Sequence, residues 1–263
     1  MSVPDRPSSA TASLLELTSG PMSYVDEGNA ELEILLVHGI PGSARDFRWL
    51  SHLLAEHARV VRIEMPGFGG TPLRTGADPS VDARARFVLE ATDALGLRRP
   101  IVVGHSMGGI VATMAAHLAP ERYAGVALIA SPGLREHRGF RDFPSKRLSM
   151  LLKAPLAPRL MRAALKRGFE KSGFKHSTYG EIVHTIHCAA VTSIPAHASR
   201  LRAARVPFFH AFCDDDPLVE VTIASETAQE LGGPVHRFES GGHNPQKHHA
   251  VELSAALIEW ASE

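Results

Sequence analysis

A serine flanked by glycines is the first feature of this 263-residue sequence that could do chemistry. Residues 104–108 read Gly-His-Ser-Met-Gly, with the apolar run 101–103 before them and an alanine-rich helical pattern after them. In such a strand–turn–helix setting, a G-x-S-x-G motif raises the serine hydroxyl above the end of a sheet. The glycines are needed because the turn is strained and neighbouring side chains would collide at Cβ. The pattern predicts that Ser106 is a nucleophile, and a tight turn with a structural serine is the alternative.

A base is needed next, because a serine hydroxyl is a weak nucleophile until its proton is removed. Residues 240–244, Ser-Gly-Gly-His-Asn, follow a short β-type run at 235–238 and precede the last helical pattern. The chain has 15 histidines, and only this position after the last predicted strand singles one out as the base, His243. His248 and His249 lie in the next helical pattern, and we expect them to be solvent-exposed.

Three consecutive carboxylates, Asp214, Asp215 and Asp216, follow the apolar run 206–212. A carboxylate can orient the imidazole of a catalytic histidine and stabilise its charged form. Only one of the three can face His243, and we expect the other two to cap a helix or lie in solvent. The chain order serine, acid, histidine differs from the orders in chymotrypsin and subtilisin.

An oxyanion also needs preorganised hydrogen-bond donors, and the loss of one costs roughly 3–4 kcal/mol of transition-state stabilisation. The residue after the nucleophile supplies one candidate, the backbone N–H of Met107. The loop His-Gly-Ile-Pro-Gly at 38–42 follows the apolar run 34–37 and supplies the other, the N–H of Ile40. We expect the His38 side chain to be a structural hydrogen-bonding group and not a second base.

Short apolar runs alternate with helical patterns along the chain, as expected for a mainly parallel sheet covered by helices on both faces. The β-type runs are 34–37, 60–63, 101–103, 126–129, 206–212 and 235–238. The helical patterns are 43–57, 81–95, 108–118 and 249–261. Ser43 and Asp46 predict a capping box at the start of the first helical pattern.

Composition excludes several classes of protein. Lys and Arg together number 28, as do Asp and Glu, so the whole chain gives no basis for binding nucleic acid. Two cysteines provide neither a disulfide framework nor a four-cysteine zinc site. No apolar run is long enough for a membrane span. Residues 1–13 lack the features of a secretion signal, and we expect them to form a disordered lead-in to a cytoplasmic protein.

One segment interrupts the alternation of strands and helices. Between residues 132 and 206 no strand pattern occurs, and short helical stretches are separated by Pro and Gly. The window 134–200 has 13 Lys/Arg and 4 Asp/Glu, whereas the rest of the chain is acidic. This pattern predicts a helical insertion over the carboxyl edge of the sheet. The basic residues either select anionic substrates or form a solvated face with no role in binding.

The chain resembles the α/β-hydrolase fold superfamily, in the serine-nucleophile branch with a helical cap after the sixth strand. The resemblance covers about residues 20–261 and rests on HGIPGS (38–43), EMPGFGGT (64–71), GHSMGG (104–109), DDDPLV (214–219) and GGHNPQ (241–246). It implies a core of 14–132 and 206–263 and a cap of 133–205. The family's catalytic acid precedes a stretch that matches Pro-Leu-Val, which assigns that role to Asp216. Glu64 departs from the family's usual Asp at a supporting position.

Serine at the elbow argues against the dehalogenases and epoxide hydrolases of this family, which use aspartate there. The resemblance therefore implies a serine hydrolase, most simply a carboxylesterase, that acts on a small ester-like substrate without a cofactor. Thioesterase, lactonase, C–C bond hydrolase, aminopeptidase-like and cofactor-free perhydrolase activities use the same triad and stay open. A non-enzymatic ligand-binding protein is the alternative of a different class. His184, His187 and Cys188 lie close in sequence, but no third or fourth metal ligand is apparent, so we predict no metal site. The sequence leaves the oligomeric state open.

Overall fold

An eight-stranded sheet forms the centre of the molecule in the computed structural model, which describes residues 6–263. Its spatial order is β1-β2-β4-β3-β5-β6-β7-β8. The strands are β1 Ser13–Leu17, β2 Gly20–Glu27, β3 Glu33–Val37, β4 Arg59–Ile63, β5 Ile101–His105, β6 Gly125–Ile129, β7 Phe208–Cys213 and β8 Val235–Phe238. The predicted mainly parallel α/β sheet is confirmed, and each of the six β-type runs overlaps one of the strands β3 to β8.

Strands β3 to β8 pair in parallel, whereas β1 and β2 form an antiparallel hairpin whose second strand pairs with β4. The hairpin was not predicted. Only four residues of these two strands are buried, and polar residues are interspersed with apolar ones, so the hairpin lacks the continuous apolar pattern of the central strands. In the parallel part, Val37 pairs with Gly104 and His105 pairs with Ile129, so the carboxyl ends of these strands meet at one edge.

Helices cover both faces of the sheet. They are α1 Arg48–Leu54, α2 Val81–Ala94, α3 Met107–Leu118, α9 Val221–Leu231, α10 Pro245–His248 and α11 Ala250–Ala261, with 3₁₀ turns at Ala44–Phe47 and Pro120–Arg122. Along β5, Val102 packs in the core beneath α2 and α3, while Ile101 and Val103 pack in the core beneath α1 and α11. This alternation explains why a strand buried on both faces is apolar at every position.

The predicted helix over 43–57 is shorter in the structure and starts with a 3₁₀ turn. The predicted capping box is confirmed: the Ser43 Oγ accepts from the turn, and Asp46 Oδ2 accepts from the Ser43 N–H at 2.9 Å. Helix α1 then ends at Leu54.

Five helices lie between β6 and β7. They are α4 Arg138–Arg141, α5 Ser145–Leu151, α6 Ala157–Lys171, α7 Tyr179–Val191 and α8 Ile194–Ala203. Helices α5, α6 and α7 share a small apolar core of their own around Leu152, Phe169, Ile182 and Ile186. Within residues 6–263, no helix has both the length and the apolar character that a bilayer crossing requires.

The amino-terminal lead-in differs from its prediction. Residues 1–5 lie outside the described part of the chain, but Ser13 already belongs to β1. Ser8 is held against the core: its N–H donates to the Arg48 carbonyl at 2.8 Å, and its hydroxyl accepts from Arg62 at 2.9 Å. The Arg62 guanidinium is buried beside Glu27 and needs such acceptors, so Ser8 helps to satisfy a buried charge.

Several histidines are buried in this fold as neutral groups. Burial lowers the pKa of His105 to about 3 and the pKa values of His184, His197 and His210 to about 4. In the unfolded chain these groups titrate near an ordinary value of about 6.5. Between those values the unfolded state binds more protons than the folded state, so stability falls as the pH is lowered.

We therefore expect the free energy of unfolding to fall as the pH drops from about 7 to about 5, by up to roughly 2 kcal/mol for each such histidine. His210→Gln should lose correspondingly less stability over this range than the wild-type protein. Urea unfolding at both pH values measures the difference. His117→Gln, which changes an exposed histidine, is the control. An identical pH dependence in all three proteins would show that His210 is not buried as a neutral group.

Candidate active site

Ser106 lies at a sharp turn between β5 and α3, with φ 52° and ψ −127°. Its backbone N–H donates to the Ile129 carbonyl at 2.9 Å, which ties the turn to the neighbouring strand. A Cβ at Gly104 would lie 2.4 Å from Gly109, and one at Gly108 would lie 2.2 Å from the Val37 carbonyl. Glycine is therefore required where the turn approaches its neighbours, as the motif predicts.

His243 lies in the loop between β8 and α10, and its Nε2 is 2.8 Å from the Ser106 Oγ. The preceding glycines, Gly241 and Gly242, have φ values of 136° and 60°, which only glycine adopts without strain. They allow the loop to turn back over the sheet edge.

Asp216 follows β7, and its Oδ2 accepts from His243 Nδ1 at 2.8 Å. Its Oδ1 accepts from the N–H groups of Leu218 at 2.8 Å and Val219 at 3.1 Å, so both carboxylate oxygens are occupied. Burial acts to raise the pKa of Asp216, but the hydrogen bond and charge of His243 and the two N–H groups outweigh it and lower the pKa. The carboxylate is therefore ionised and fixed against the imidazole.

The two neighbouring acids have different partners from those expected. Asp214 pairs with Arg237 at 2.6 Å on the surface. Asp215 accepts from the N–H groups of Gly241 at 3.2 Å and Gly242 at 2.7 Å, so it braces the loop that carries His243. Neither is a helix cap or a free solvated acid, and Asp215 has a structural role in the site that the sequence did not indicate.

His105, the residue before Ser106, contacts His243 directly. Its Nε2 lies 2.7 Å from the His243 carbonyl, and the two ring centroids are 5.1 Å apart. Burial, followed by the nearby His243, lowers the pKa of His105, so the ring is neutral and its single N–H donates to that carbonyl. Sequence reasoning missed this contact, because nothing in the motif indicates what its variable position touches.

The loop after β3 brings Ile40 to the same site. Ile40 and Met107 both line the cavity in front of Ser106, and their backbone N–H groups donate to no acceptor within residues 6–263. Among the described residues, His38 hydrogen-bonds to backbone alone, at Gly39 and Met65, as expected of a structural residue.

Glu64 supports this loop from the end of β4. Its carboxylate accepts from the N–H groups of Ala44 at 3.1 Å and Gly70 at 2.6 Å. Two loops at the sheet edge are therefore joined through one side chain, which accounts for an acidic residue at this position.

A cavity of about 490 Å³ opens in front of Ser106 and is mainly apolar. Ile40, Met107 and Leu218 line it from the sheet side, while the helices between β6 and β7 supply the opposite wall. That wall includes Phe140, Phe143, Leu165, Phe169, Phe174, Thr185 and Ala189. Arg138 is the one Lys or Arg of the 134–200 window that lines this cavity. The predicted excess of positive charge is thus directed away from the cavity.

The environment of His249 differs from its prediction. His249 is buried, stacks on Phe238 with ring centroids 4.0 Å apart and hydrogen-bonds to the Ser240 carbonyl. The expectation that it is exposed is wrong, because it packs beneath the loop of His243.

His184 Nε2 lies 3.5 Å from Cys188 Sγ, and residues 6–263 contain no cluster of three or more potential metal ligands.

Comparison with known proteins places this geometry in a family. Over 111 residues the chain is 36% identical to a dihydrolipoyllysine-residue acetyltransferase component of the acetoin cleaving system of Pseudomonas putida, covering 41% of this chain and 29% of that protein. It is 30% identical over 99 residues to a pimeloyl-[acyl-carrier protein] methyl ester esterase of Aeromonas salmonicida, covering 38% of this chain and 37% of that protein. The matched region therefore spans about a third of these curated relatives.

Solved structures extend the likeness over the whole fold. An esterase from Exiguobacterium antarcticum superimposes with a TM-score of 0.77 at 14% identity, covering 96% of this chain and all of the other. The model of the alpha/beta hydrolase family matches residues 34–256, a range that contains the elbow, both loops and the helices between β6 and β7. The chain belongs to the alpha/beta hydrolase family.

Proposed function

We propose that the protein is a serine hydrolase that cleaves a carboxylic ester or a related acyl compound through Ser106, His243 and Asp216. The observation that carries the proposal is the continuous line of hydrogen bonds from Asp216 to His243 and from His243 to Ser106, both 2.8 Å, which opens into the cavity. The named methyl ester esterase among the relatives supports an ester substrate.

In the first half of the reaction, His243 Nε2 takes the Ser106 proton as the Oγ attacks the carbonyl carbon. The carbonyl oxygen becomes an oxyanion, and in this proposal the N–H groups of Ile40 and Met107, which both line the cavity, donate to it. His243 then gives its proton to the leaving alcohol as the ester bond breaks, which leaves an acyl group on Ser106. Asp216 holds Nδ1 and stabilises the imidazolium in both steps.

In the second half, His243 removes a proton from water, and the resulting hydroxide oxygen attacks the acyl carbon. The bond to Ser106 breaks, Ser106 regains its proton from His243, and the acid product leaves. His105 also lines the cavity, but it takes no part in proton transfer in this scheme. It is a positioning residue that fixes the backbone of His243 from behind.

The size and lining of the cavity support a small, largely apolar substrate. A volume of about 490 Å³ lies within the range of roughly 300–1,000 Å³ that is usual for small-molecule sites. In this proposal, residues 133–205 serve as a cap that supplies the distal wall and thereby sets the choice of acyl group. Thioesters, lactones and activated C–C bonds are alternative substrates of the same triad. Perhydrolysis is a further alternative, in which hydrogen peroxide instead of water attacks the acyl-serine and a peracid leaves. A cytoplasmic location stays a prediction, in line with the two free, buried cysteines.

A fluorophosphonate should label Ser106, because the reagent reacts only with a serine whose proton a base can remove. Ser106→Ala should abolish labelling and lower turnover of p-nitrophenyl esters by about 10⁶-fold. Ser172→Ala, which changes another serine lining the cavity, should behave as wild type. His243→Ala should resemble Ser106→Ala, and the double variant should be little worse. A folded protein that is not labelled would favour the ligand-binding alternative.

Asp216→Asn should lower kcat by about 10⁴-fold, because an amide cannot stabilise the imidazolium and favours the wrong tautomer. Asp214→Asn removes the neighbouring charge and a surface ion pair, and should keep most of the activity. Steady-state kinetics of both variants against wild type make the comparison. Comparable losses in the two variants would place the orienting carboxylate elsewhere.

His105→Phe should lower kcat about fivefold with little change in KM, since it removes one hydrogen bond worth roughly 1 kcal/mol to the His243 backbone. His105→Gln keeps an N–H donor at similar reach and should restore most of the rate. Thermal unfolding of both variants shows whether a lower kcat is accompanied by a loss of stability. Equal kcat values for Phe and Gln would assign His105 to packing alone.

A further inference from the structure

The surface formed by α5, the turn after it and the first three turns of α6 exposes large apolar side chains. We call residues 146–167 the basic face. Met150 is 71% exposed, Leu151 55%, Leu156 69% and Leu160 79%. Within residues 6–263, ten large apolar side chains are exposed, and these four lie within eleven consecutive residues. Such a concentration is unusual on a surface that meets only water.

Positive charge surrounds these apolar side chains and is not neutralised. Residues 143–169 contain seven Lys/Arg and no Asp/Glu, and all seven basic side chains are exposed. They are Lys146, Arg147, Lys153, Arg159, Arg162, Lys166 and Arg167. Within the described residues none of them forms an ion pair, whereas Arg135 and Arg141, just before this stretch, pair with Glu226 and Glu220. The net charge of the 134–200 window is therefore concentrated on one outer face.

Helix α6 connects the basic face to the cavity. Its buried side carries Leu165 and Phe169, which pack in the core shared with α5 and α7. Ala164 and Gly168 line the cavity wall. Leu160 lies one turn before Ala164, and residues four apart are neighbours on a helix surface. The exposed leucine therefore stands beside the cavity wall, on the same stripe of the helix.

We propose that the basic face docks on an anionic lipid surface, with Met150, Leu151, Leu156 and Leu160 entering the headgroup–acyl boundary. Leucine and methionine on one side of a helical segment, with unpaired Lys and Arg around them, is the pattern of interfacial helices. The basic side chains can keep their stems on the apolar layer while their charges meet lipid phosphates. Docking would place the wall of the catalytic cavity against the membrane surface.

A lipid surface fits this face better than a protein partner. The cores of protein–protein interfaces are depleted of charged residues, and Lys is depleted across such interfaces as a whole. Here Lys153 lies between Leu151 and Leu156, and Arg159 is adjacent to Leu160. Flexible, charged side chains thus lie between the apolar ones in the sequence as well as around them. A laterally mobile anionic surface can match such an arrangement without fixed partner groups.

Co-sedimentation with vesicles tests the proposal directly. Wild-type protein should bind vesicles of mixed phosphatidylcholine and phosphatidylglycerol, should bind pure phosphatidylcholine vesicles far more weakly, and should be released by high salt. The double variant Leu156→Asp/Leu160→Asp should lose binding. Leu14→Asp changes a side chain of 70% exposure on β1, far along the sheet from the cap helices, and should bind as wild type. Arg159→Gln/Lys166→Gln should weaken binding by about fivefold for each charge removed.

Three results would overturn the proposal: no binding of folded wild-type protein to anionic vesicles, equal binding to neutral and anionic vesicles, or equal binding by the Leu156→Asp/Leu160→Asp and Leu14→Asp variants. Sedimentation without lipid is the further check. A dimer that Leu160→Asp dissociates would show that a second copy of the chain covers this face. The altered leucines are exposed, so the variants should fold, and circular dichroism confirms it.

Docking on lipid is independent of the serine chemistry. Ser106→Ala should bind anionic vesicles as tightly as wild type does, because Ser106 lies inside the cavity and not on the basic face. The Leu156→Asp/Leu160→Asp variant should hydrolyse a short, water-soluble p-nitrophenyl ester at the wild-type rate. Loss of that activity in the double variant would show that these leucines support the catalytic cavity and would count against a separate docking role.

Discussion

The backbone conformation of Ser106 is the constraint on which the site depends. A non-glycine residue at φ 52° costs about 1–3 kcal/mol, and surrounding structure must hold it there. The hydrogen bond from Ser106 to Ile129 on β6 does so, together with close packing of α3. A Cβ at Gly109 would lie 2.1 Å from the Ser131 hydroxyl, so the helix can approach the end of β6 only because that position is glycine. The parallel sheet then brings the ends of β7 and β8 to the same edge.

The reaction site and the surface of residues 146–167 differ in how much charge they carry. At the site, one ionised carboxylate, Asp216, is buried, and it has a hydrogen-bond donor for each oxygen. The rings of His38 and His105 are also buried, and desolvation lowers their pKa values so that they remain neutral. The cations of the 134–200 window stay outside, where water offsets their charge. A chain of zero formal net charge thus combines a sparsely charged reaction site with a strongly basic outer face.

Sequence patterns predicted the parts of the fold whose physics is local. Strands buried on both faces are apolar throughout, so β3 to β8 could be recognised. The glycines around Ser106 could also be predicted, because they relieve close contacts within one turn and its neighbours. The hairpin β1–β2 lies at the sheet edge and has no such pattern. The contacts of His105, Asp215 and His249 depend on which loops meet, and only the tertiary structure decides that. The sequence likewise shows the excess of Lys and Arg in the 134–200 window, but not that nearly all of these side chains lie outside the cavity.

The three consecutive acids have three different partners. Asp214 forms a surface ion pair, Asp215 accepts from the loop glycines, and Asp216 accepts from His243. Adjacent side chains in an extended or turning segment point in different directions, so each task belongs to one position in the turn. A deletion or insertion of one residue here would move each carboxylate into the position of its neighbour, although the acidic composition would hardly change. The length of this turn is therefore under stronger constraint than its composition, and a related chain could replace Asp214 freely but could not shorten the turn.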